Sequence, residues 1–556
     1  MKELLRRLLA HPLLALELGL ASLFANLLAL ASPLFVTQVL NRYVASGVDA
    51  TLITMTIGVI IAIALEFGFR QARLRLALSV SDKRNQTLTT GTMGVLLTAR
   101  ADPLHSSWSM THRREIIRSL TTIRQAYSAP NLVVAMDLPF SLLYIVVLTL
   151  LSPPLGLIAL LFLSLLWAFN LTNTRLTRKP LQHLHELQLQ QDALTLTACG
   201  RIDTIRTYGG SPWIQHRWQK LHETNESLNQ HLEIRQGFAQ GMQGTIQSLL
   251  SVAIIAVGAK LALAGEMEVG TLIGANILAA RSLTPILRWG PLNDLLIRAE
   301  QALTRLEQFA KLPLERESGA ILKSYQGGLE LKDLAKTLPP APMPIFESLN
   351  LTLPPGAVLA VSGEDGRGKT MLARMLAGLV APDRGQILVD GVDLAQLNPF
   401  WWRQQIIFLP QDPDFLDGTA RENITLANPN LSPEDLNAAI TTAGLAPWLD
   451  ESPTGLDAPL IDGGQNLSPD LRKRLALARA LINRGKLAIL DEPTENLTPK
   501  GVLTLYTVLH TLSLQGTTLV VFTNDPNILR GASLVLDLNS KPKPTLINRL
   551  TRSTPT

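Results

Sequence analysis

Two stretches of the chain carry residues whose types and spacing suit one kind of chemistry. The first is Ser362-Gly363-Glu364-Asp365-Gly366-Arg367-Gly368-Lys369-Thr370, entered from the apolar run Ala357 to Val361 and followed by the helix-like Met371-Leu372-Ala373-Arg374-Met375-Leu376. The spacing G-x-x-x-x-G-K-[ST] between a strand and a helix is that of a phosphate cradle. Three glycines let successive N–H groups curl toward phosphate oxygens, and the helix that starts there adds its positive end. Gly363 through Met371 would form the binding loop, with Lys369 reaching the β- and γ-phosphates and Thr370 holding Mg²⁺. The second stretch is Lys486-Leu487-Ala488-Ile489-Leu490-Asp491-Glu492, a buried-strand pattern ending in two carboxylates. A metal-holding Asp491 and a water-polarising Glu492 are what phosphoanhydride hydrolysis needs beside such a cradle. The plainer alternative is two ordinary α/β strands with a Gly-rich turn. The pairing of the two stretches predicts a chain that binds ATP.

The elements that must position these residues are of two kinds. At 556 residues the chain is too long for one core, so two or three domains are expected. Hydrophobic content is 47% and mean hydropathy +0.20, and the excess lies in the first half, in runs long enough to cross a bilayer. Six spans are predicted, near 13–36, 52–69, 132–151, 155–171, 246–264 and 269–287, each matching the hydrocarbon thickness. Asn26, Asp137, Gln247, Asn276 and Arg281 interrupt them, which suggests faces lining a cavity instead of lipid. The net charge of +5 is modest, and the basic residues cluster beside the apolar runs, which points to lipid headgroups and away from nucleic acid. The single cysteine, Cys199, excludes an intramolecular disulfide and reads as a small, partly buried residue.

Lys2, Arg6 and Arg7 precede span one, Arg70, Arg73 and Arg75 follow span two, and Arg175, Arg178 and Lys179 follow span four. The opposite connections, around 46–49, 152–154 and 265–268, carry little positive charge, so both termini are expected in the cytoplasm. Two long polar stretches, 71–131 and 173–241, then lie on that side as helices continuing from the spans. Each has a break, at 101–108 and 208–213, where a helix could turn and present a short segment to a cytoplasmic domain. The organisation read from the chain is a transmembrane domain over 1–300, a linker over 301–326, an α/β P-loop domain over 327–540, and a flexible tail over 541–556.

Six spans with cytoplasmic extensions, followed by such a domain, resemble a half-size ABC exporter over almost the whole chain. The resemblance implies an all-α six-helix transmembrane domain fused to an α/β nucleotide-binding domain, with ATP and Mg²⁺ as cofactors. Gln411, in Phe408-Leu409-Pro410-Gln411-Asp412, falls where the family has its Q-loop, which touches Mg²⁺ and the attacking water. Asp417-Gly418-Thr419-Ala420-Arg421-Glu422-Asn423-Ile424 matches the exporter string that follows. Ala31 to Val36, Asn41 to Val44 and Asp137-Leu138-Pro139-Phe140 look like the membrane part of type I protein-secretion ATPases. The chain starts at the first span, without the leader-peptidase-like domain of some relatives, which favours the branch whose substrates carry an uncleaved C-terminal signal.

Departures from the family pattern are as informative. The family's site forms between two chains, the phosphate loop of one facing the LSGGQ signature of the other. Here the signature reads Leu467-Ser468-Pro469-Asp470-Leu471: Pro469 deletes an N–H, Asp470 places negative charge near the γ-phosphate, and Leu471 cannot donate. The string resembles Leu431-Ser432-Pro433-Glu434-Asp435, a plain helix start, so the signature reads as an ordinary cap. Thr498 replaces the D-loop aspartate, Asn524 replaces the switch histidine, and no adenine-stacking aromatic stands near Thr337-Leu338-Pro339.

Two readings follow. In one, the chain is the ATP-binding and permease subunit of a type I secretion exporter, with Glu492 orienting water and Gln411 sensing Mg-ATP. The family then implies a periplasmic adaptor, an outer-membrane channel and a polypeptide cargo crossing the bacterial inner membrane. In the other, the chain is a catalytically weak or regulatory subunit whose partner performs most turnover. A heterodimer with a second half-transporter reconciles the two. An importer subunit, or an exporter of lipid or small molecules, is the third class.

Overall fold

The computed structural model describes residues 2–43, 49–102, 104, 108–338, 343–540 and 543–548. The connection at 46–49, the first break at 101–108 and the tail therefore lie partly or largely outside the described residues. The chain divides into two compact units, Met1–Thr98 with Ser106–Leu312, and Ala99–His105 with Pro313–Thr556.

In the first unit six helical stretches are long and apolar enough to cross a membrane: Pro12–Tyr43, Asp49–Thr98, Ala129–Leu151, Pro153–Gly200, Ser211–Leu263 and Val269–Ala310. Four of them outrun the bilayer because an apolar run continues into an amphipathic one. A helix needs only about 20 residues to span the hydrocarbon, and Asp49–Thr98 has 50. The last helix runs unbroken to Ala310, ten residues into the stretch read as a linker. Its two prolines, Pro285 and Pro291, do not end it, a tolerance common in helices that cross membranes. Near its start Gly270 and Gly274 receive the segment 33–41. A Cβ at Gly270 would meet Asn41, and one at Gly274 would meet Thr37. This small-residue stripe lets the two backbones approach, and Asn41 Nδ2 donates to Thr271 Oγ1 at 2.9 Å across the seam.

Leu148, Leu155, Leu166, Ile254, Leu278 and Leu283 form the core of the membrane bundle. Asn26, Asp137 and Arg281, three of the residues interrupting the spans, line one cavity, while Gln247 and Asn276 line another. Cys199 is exposed, not partly buried as its residue type suggested; it lies in the last turn of Pro153–Gly200.

The second unit is built on strands β1 (Leu329–Thr337), β2 (Pro344–Leu353), β3 (Val358–Ser362), β4 (Arg384–Val389), β5 (Val392–Asp393), β6 (Ile406–Leu409), β7 (Gly418–Thr419), β8 (Pro459–Leu460), β9 (Leu487–Asp491), β10 (Thr518–Phe522), β11 (Leu534–Asp537) and β12 (Thr545–Asn548). A four-stranded antiparallel sheet has the order β2-β1-β4-β5. A six-stranded sheet has the order β12-β11-β3-β10-β9-β6 and is parallel except at β12. Its central strands are unbroken apolar runs: every residue of β9 and β10 is buried, as expected of a parallel sheet covered on both faces. Ligand loops in such sheets gather at the carboxyl ends of the strands, and both chemistry-bearing stretches leave the sheet there.

The segment Ala99–His105, drawn from the first break, belongs to this unit. Arg100 N donates to Pro313 O at 2.9 Å. Asp102 sits 3.2 Å from the ammonium of the buried Lys336, which also meets Asp383 Oδ1 at 3.0 Å and Ala381 O at 2.8 Å. At the second break the helix Ile202–Thr207 stops and a new one starts at Ser211, leaving Tyr208 and Trp213 exposed.

Candidate functional site

The phosphate loop springs from β3, whose partners β10 and β11 hold it in register. Gly366 and Gly368 lie at φ +76° and +93°, values that a side chain would strain. At Gly368 a Cβ would also reach within 2.6 Å of Ile345. The turn delivers Lys369 as the first residue of the helix Lys369–Leu376. Its ammonium is buried, donates to Gly363 O at 2.7 Å, and pairs with Glu492 Oε1 at 2.6 Å. β9 ends in the buried Asp491, and Glu492 follows in left-handed backbone at φ +39°, its N–H held by Phe522 O at 2.8 Å. A non-glycine residue at positive φ stores strain, and here it turns the carboxylate onto the lysine.

Burial raises the Asp491 carboxyl above its usual range; a hydrogen bond from Thr370 pulls the other way. Asp491 Oδ1 is buried and, among the described residues, has no hydrogen-bond partner. Thr370 Oγ1 also lies 3.4 Å from Gln411 Oε1. An orphaned carboxylate oxygen beside a hydroxyl and an amide oxygen is a hard-oxygen donor set that fits Mg²⁺.

The structure thus brings together Gly363 to Met371, Gln411, Asp491 and Glu492. It also reveals partners that the sequence did not single out. Glu495 Oε2 accepts from Gln411 Nε2 at 2.9 Å, and Asn539 Oδ1 accepts from Glu364 N at 2.9 Å. Asn524 neither reaches out nor stands free: its amide takes Gly363 N at 3.1 Å and gives to Gly363 O at 2.9 Å. Lys473 is 2% exposed and donates to Pro410 O, Gln411 O and Asp491 O at 3.2, 2.7 and 3.4 Å. Burial lowers its pKa to about 8, against the opposing pull of Glu495, Asp491, Asp412 and Glu492. It stands between Arg472 and Arg474, and the phase of the helix Pro469–Leu481 turns it inward.

The polar side chains of the signature stretch serve helix starts. Ser468 accepts from Leu471 N at 3.3 Å as N-cap of the helix Pro469–Leu481, with Pro469 in its first turn. Asp470 Oδ1 accepts from Thr498 N at 2.7 Å, Thr498 Oγ1 at 2.9 Å and Arg474 Nη2 at 3.3 Å. Thr498 in turn caps the helix Pro499–Leu514. Leu471 packs on the apolar cluster behind it. Thr337 ends β1, Leu338 follows it, and Pro339 lies outside the described residues.

A helical membrane unit joined to a parallel-sheet domain with a phosphate loop and a paired carboxylate terminus defines a class, the ATP-driven membrane transporters. Comparison with known proteins narrows it. Residues 346–495 match the family model for ABC transporters, and 15–285 match that for the ABC transporter transmembrane region. The alpha-hemolysin translocation ATP-binding protein HlyB of Escherichia coli O157:H7 is 30% identical over 491 residues, 87% of this chain and 68% of that one. The exotoxin translocation ATP-binding protein PaxB of Pasteurella aerogenes is 27% identical over 489 residues, 86% of this chain and 68% of that one. A solved bacterial Atm1-family ABC exporter with ATP bound superposes with a TM-score of 0.84 at 18% identity, covering 99% of this chain and 96% of the other, which shows a shared fold. The chain belongs to the ABC transporter family. It is a multi-span membrane exporter whose soluble unit binds nucleotide.

Proposed function

We propose that the chain is the ATP-binding and permease subunit of a type I secretion exporter, moving a polypeptide outward across the bacterial inner membrane with its nucleotide unit in the cytoplasm. The names of its toxin-translocating relatives support that cargo class. The observation that carries the ATP chemistry is Lys369 held 2.6 Å from Glu492 beside the orphaned Asp491 Oδ1. When nucleotide enters, Lys369 leaves Glu492 for the β- and γ-phosphates, and the freed carboxylate orients the attacking water and takes its proton. Asp491, Thr370 and Gln411 would hold Mg²⁺, which supplies charge neutralisation on the phosphates. A periplasmic adaptor and an outer-membrane channel complete the path outward.

The bonds of Asp470 favour a second, compatible reading. Its carboxylate is engaged by Thr498 and Arg474 instead of leaving two glycine N–H groups open for a partner's γ-phosphate. A heterodimer, in which a second half-transporter supplies the working signature, accommodates both observations. The test is Mg-dependent ATPase of the purified full-length chain, with and without Glu492→Gln. We expect slow turnover that falls by about 10²–10³ in the variant. Turnover of about 10 s⁻¹ or more by the chain alone, abolished in Glu492→Gln, would overturn the weak-subunit reading. Failure to retain Mg-ATP at all would overturn both.

A further inference from the structure

A cavity of about 190 Å³ inside the membrane unit is lined by Asn26, Arg70, Arg73, Asp137, Arg281 and Arg288, among others. Its charges are unequal. Arg73 is satisfied by Asp137, at 2.6 and 3.3 Å, and Asn26 Nδ2 donates to the same carboxylate at 3.1 Å. Tyr144 closes that network through Asn26 Oδ1 at 3.0 Å. Arg70 pairs with Glu66 at 2.5 Å. Arg281 donates to Ala29 O at 2.6 Å, a carbonyl freed by the turn between Pro12–Leu28 and Ala31–Gln38. Among the lining residues Asp137 carries the sole carboxylate, against four guanidiniums.

The depth of the cavity is set by the helices that build it. Arg70 is the first residue after the apolar run ending at Phe69, which stacks on Phe24 at 5.3 Å. Arg288 lies about 28 Å along its helix from Val269 at 1.5 Å per residue, close to the hydrocarbon thickness of about 30 Å. Both place one end of the cavity at the headgroup level of one leaflet, the cytoplasmic one under the orientation proposed above, with Arg281 about 10 Å deeper along the helix. On the helix that brings Arg70 to the cavity, Ile63, Phe67 and Arg70 follow one another at helical spacing, with Ile63 and Phe67 exposed and the Arg70 side chain half exposed.

We propose that this cavity binds the phosphodiester headgroup of an anionic phospholipid from the cytoplasmic leaflet. Guanidinium forks match phosphate oxygens two at a time. Unneutralised arginines at the edge of hydrocarbon are costly, and an anion between Arg281 and Arg288 removes that cost. Basic recesses between membrane helices on the cytoplasmic side hold acidic headgroups by this balance. The exposed Ile63–Phe67 face, on the helix that carries Arg70, gives the acyl chains an apolar surface.

The test uses the full-length protein in nanodiscs of phosphatidylcholine with or without phosphatidylglycerol, and native mass spectrometry to count lipid retained per chain. Phosphatidylglycerol should be retained over phosphatidylcholine. Arg281→Gln and the more exposed Arg288→Gln should each weaken retention about tenfold, the loss of one charge-assisted contact. Asp137→Asn, which removes the lining carboxylate, should strengthen it, a gain that misfolding does not mimic. Arg178→Gln, a change at an arginine outside the cavity, should leave retention as it is. Equal retention in wild type, Arg281→Gln and Arg288→Gln would overturn the proposal. So would a thermal shift from millimolar inorganic phosphate, or from a glutamate-rich peptide, that matches the shift from phosphatidylglycerol.

Discussion

Replacing Asp470 with alanine removes a carboxylate that ties two helices together. Oδ1 accepts from Thr498 N, Thr498 Oγ1 and Arg474 Nη2, and Oδ2 lies 2.9 Å from Arg474 Nε. The two side chains are 19% and 13% exposed, so solvent screens the pair only in part. A hydrogen bond to a charged group contributes about 1.5–3 kcal/mol. Counting one such bond for the Thr498 N–H and one for Arg474, and allowing for their non-additivity, gives about 2–4 kcal/mol. Arg474 keeps Gly444 O at 3.1 Å, which places the loss toward the lower end. The cost is local, because it falls on the turn that starts Pro499–Leu514 and not on the sheet. Hydrogen exchange at the Thr498 amide of the full-length protein should therefore speed up about a hundredfold in Asp470→Ala. Asp470→Asn keeps one acceptor oxygen, and the acceleration should be nearer tenfold. Unchanged exchange in Asp470→Ala would show that the carboxylate is not holding the cap, and the account of the signature stretch would fail with it.

Two further outcomes follow from the same geometry. Burial lowers the Lys473 pKa to about 8 from an unfolded value of 10.5, so between those limits the unfolded chain binds more proton, and folding stability rises with pH across that window. Below pH 8 both states are protonated and the slope vanishes. Lys473→Met should abolish the rise, read as the thermal midpoint of the nucleotide unit at pH 7.5 and pH 9.5 in wild type and variant. Asn524→Ala removes both bonds that hold Gly363, and at about 0.5–1.5 kcal/mol each the dissociation constant for Mg-ATP should rise roughly tenfold. Titration with a fluorescent ATP analogue measures it, and an unaltered constant would mean that the loop is set without Asn524.

Several features of this protein are determined over short stretches of chain, and these were legible in the residues. The phosphate loop is specified by glycines at Gly366 and Gly368 that tolerate φ +76° and +93°, between an apolar strand and a helix. Membrane spans follow from runs of hydropathy, and helix starts from Ser432 and Ser468 followed by proline, each capping as its local pattern requires. The end of the last membrane helix was less legible, because its continuation to Ala310 rests on amphipathic packing and not on a stop signal.

Tertiary structure decided the partners. Asn524 meets Gly363 across 161 positions of chain, and Arg281 meets Ala29 across 252. No periodicity records such distances. Lys473 shows the reason in one residue: it stands between Arg472 and Arg474, yet the packing of Pro469–Leu481 under β6 and β9 buries the ammonium against three carbonyls. Backbone conformation and hydropathy act between near neighbours, so the sequence alone determined where this chain crosses the membrane and where it cradles phosphate. Which charges face one another depends on how distant segments pack, and that was settled only when the chain folded.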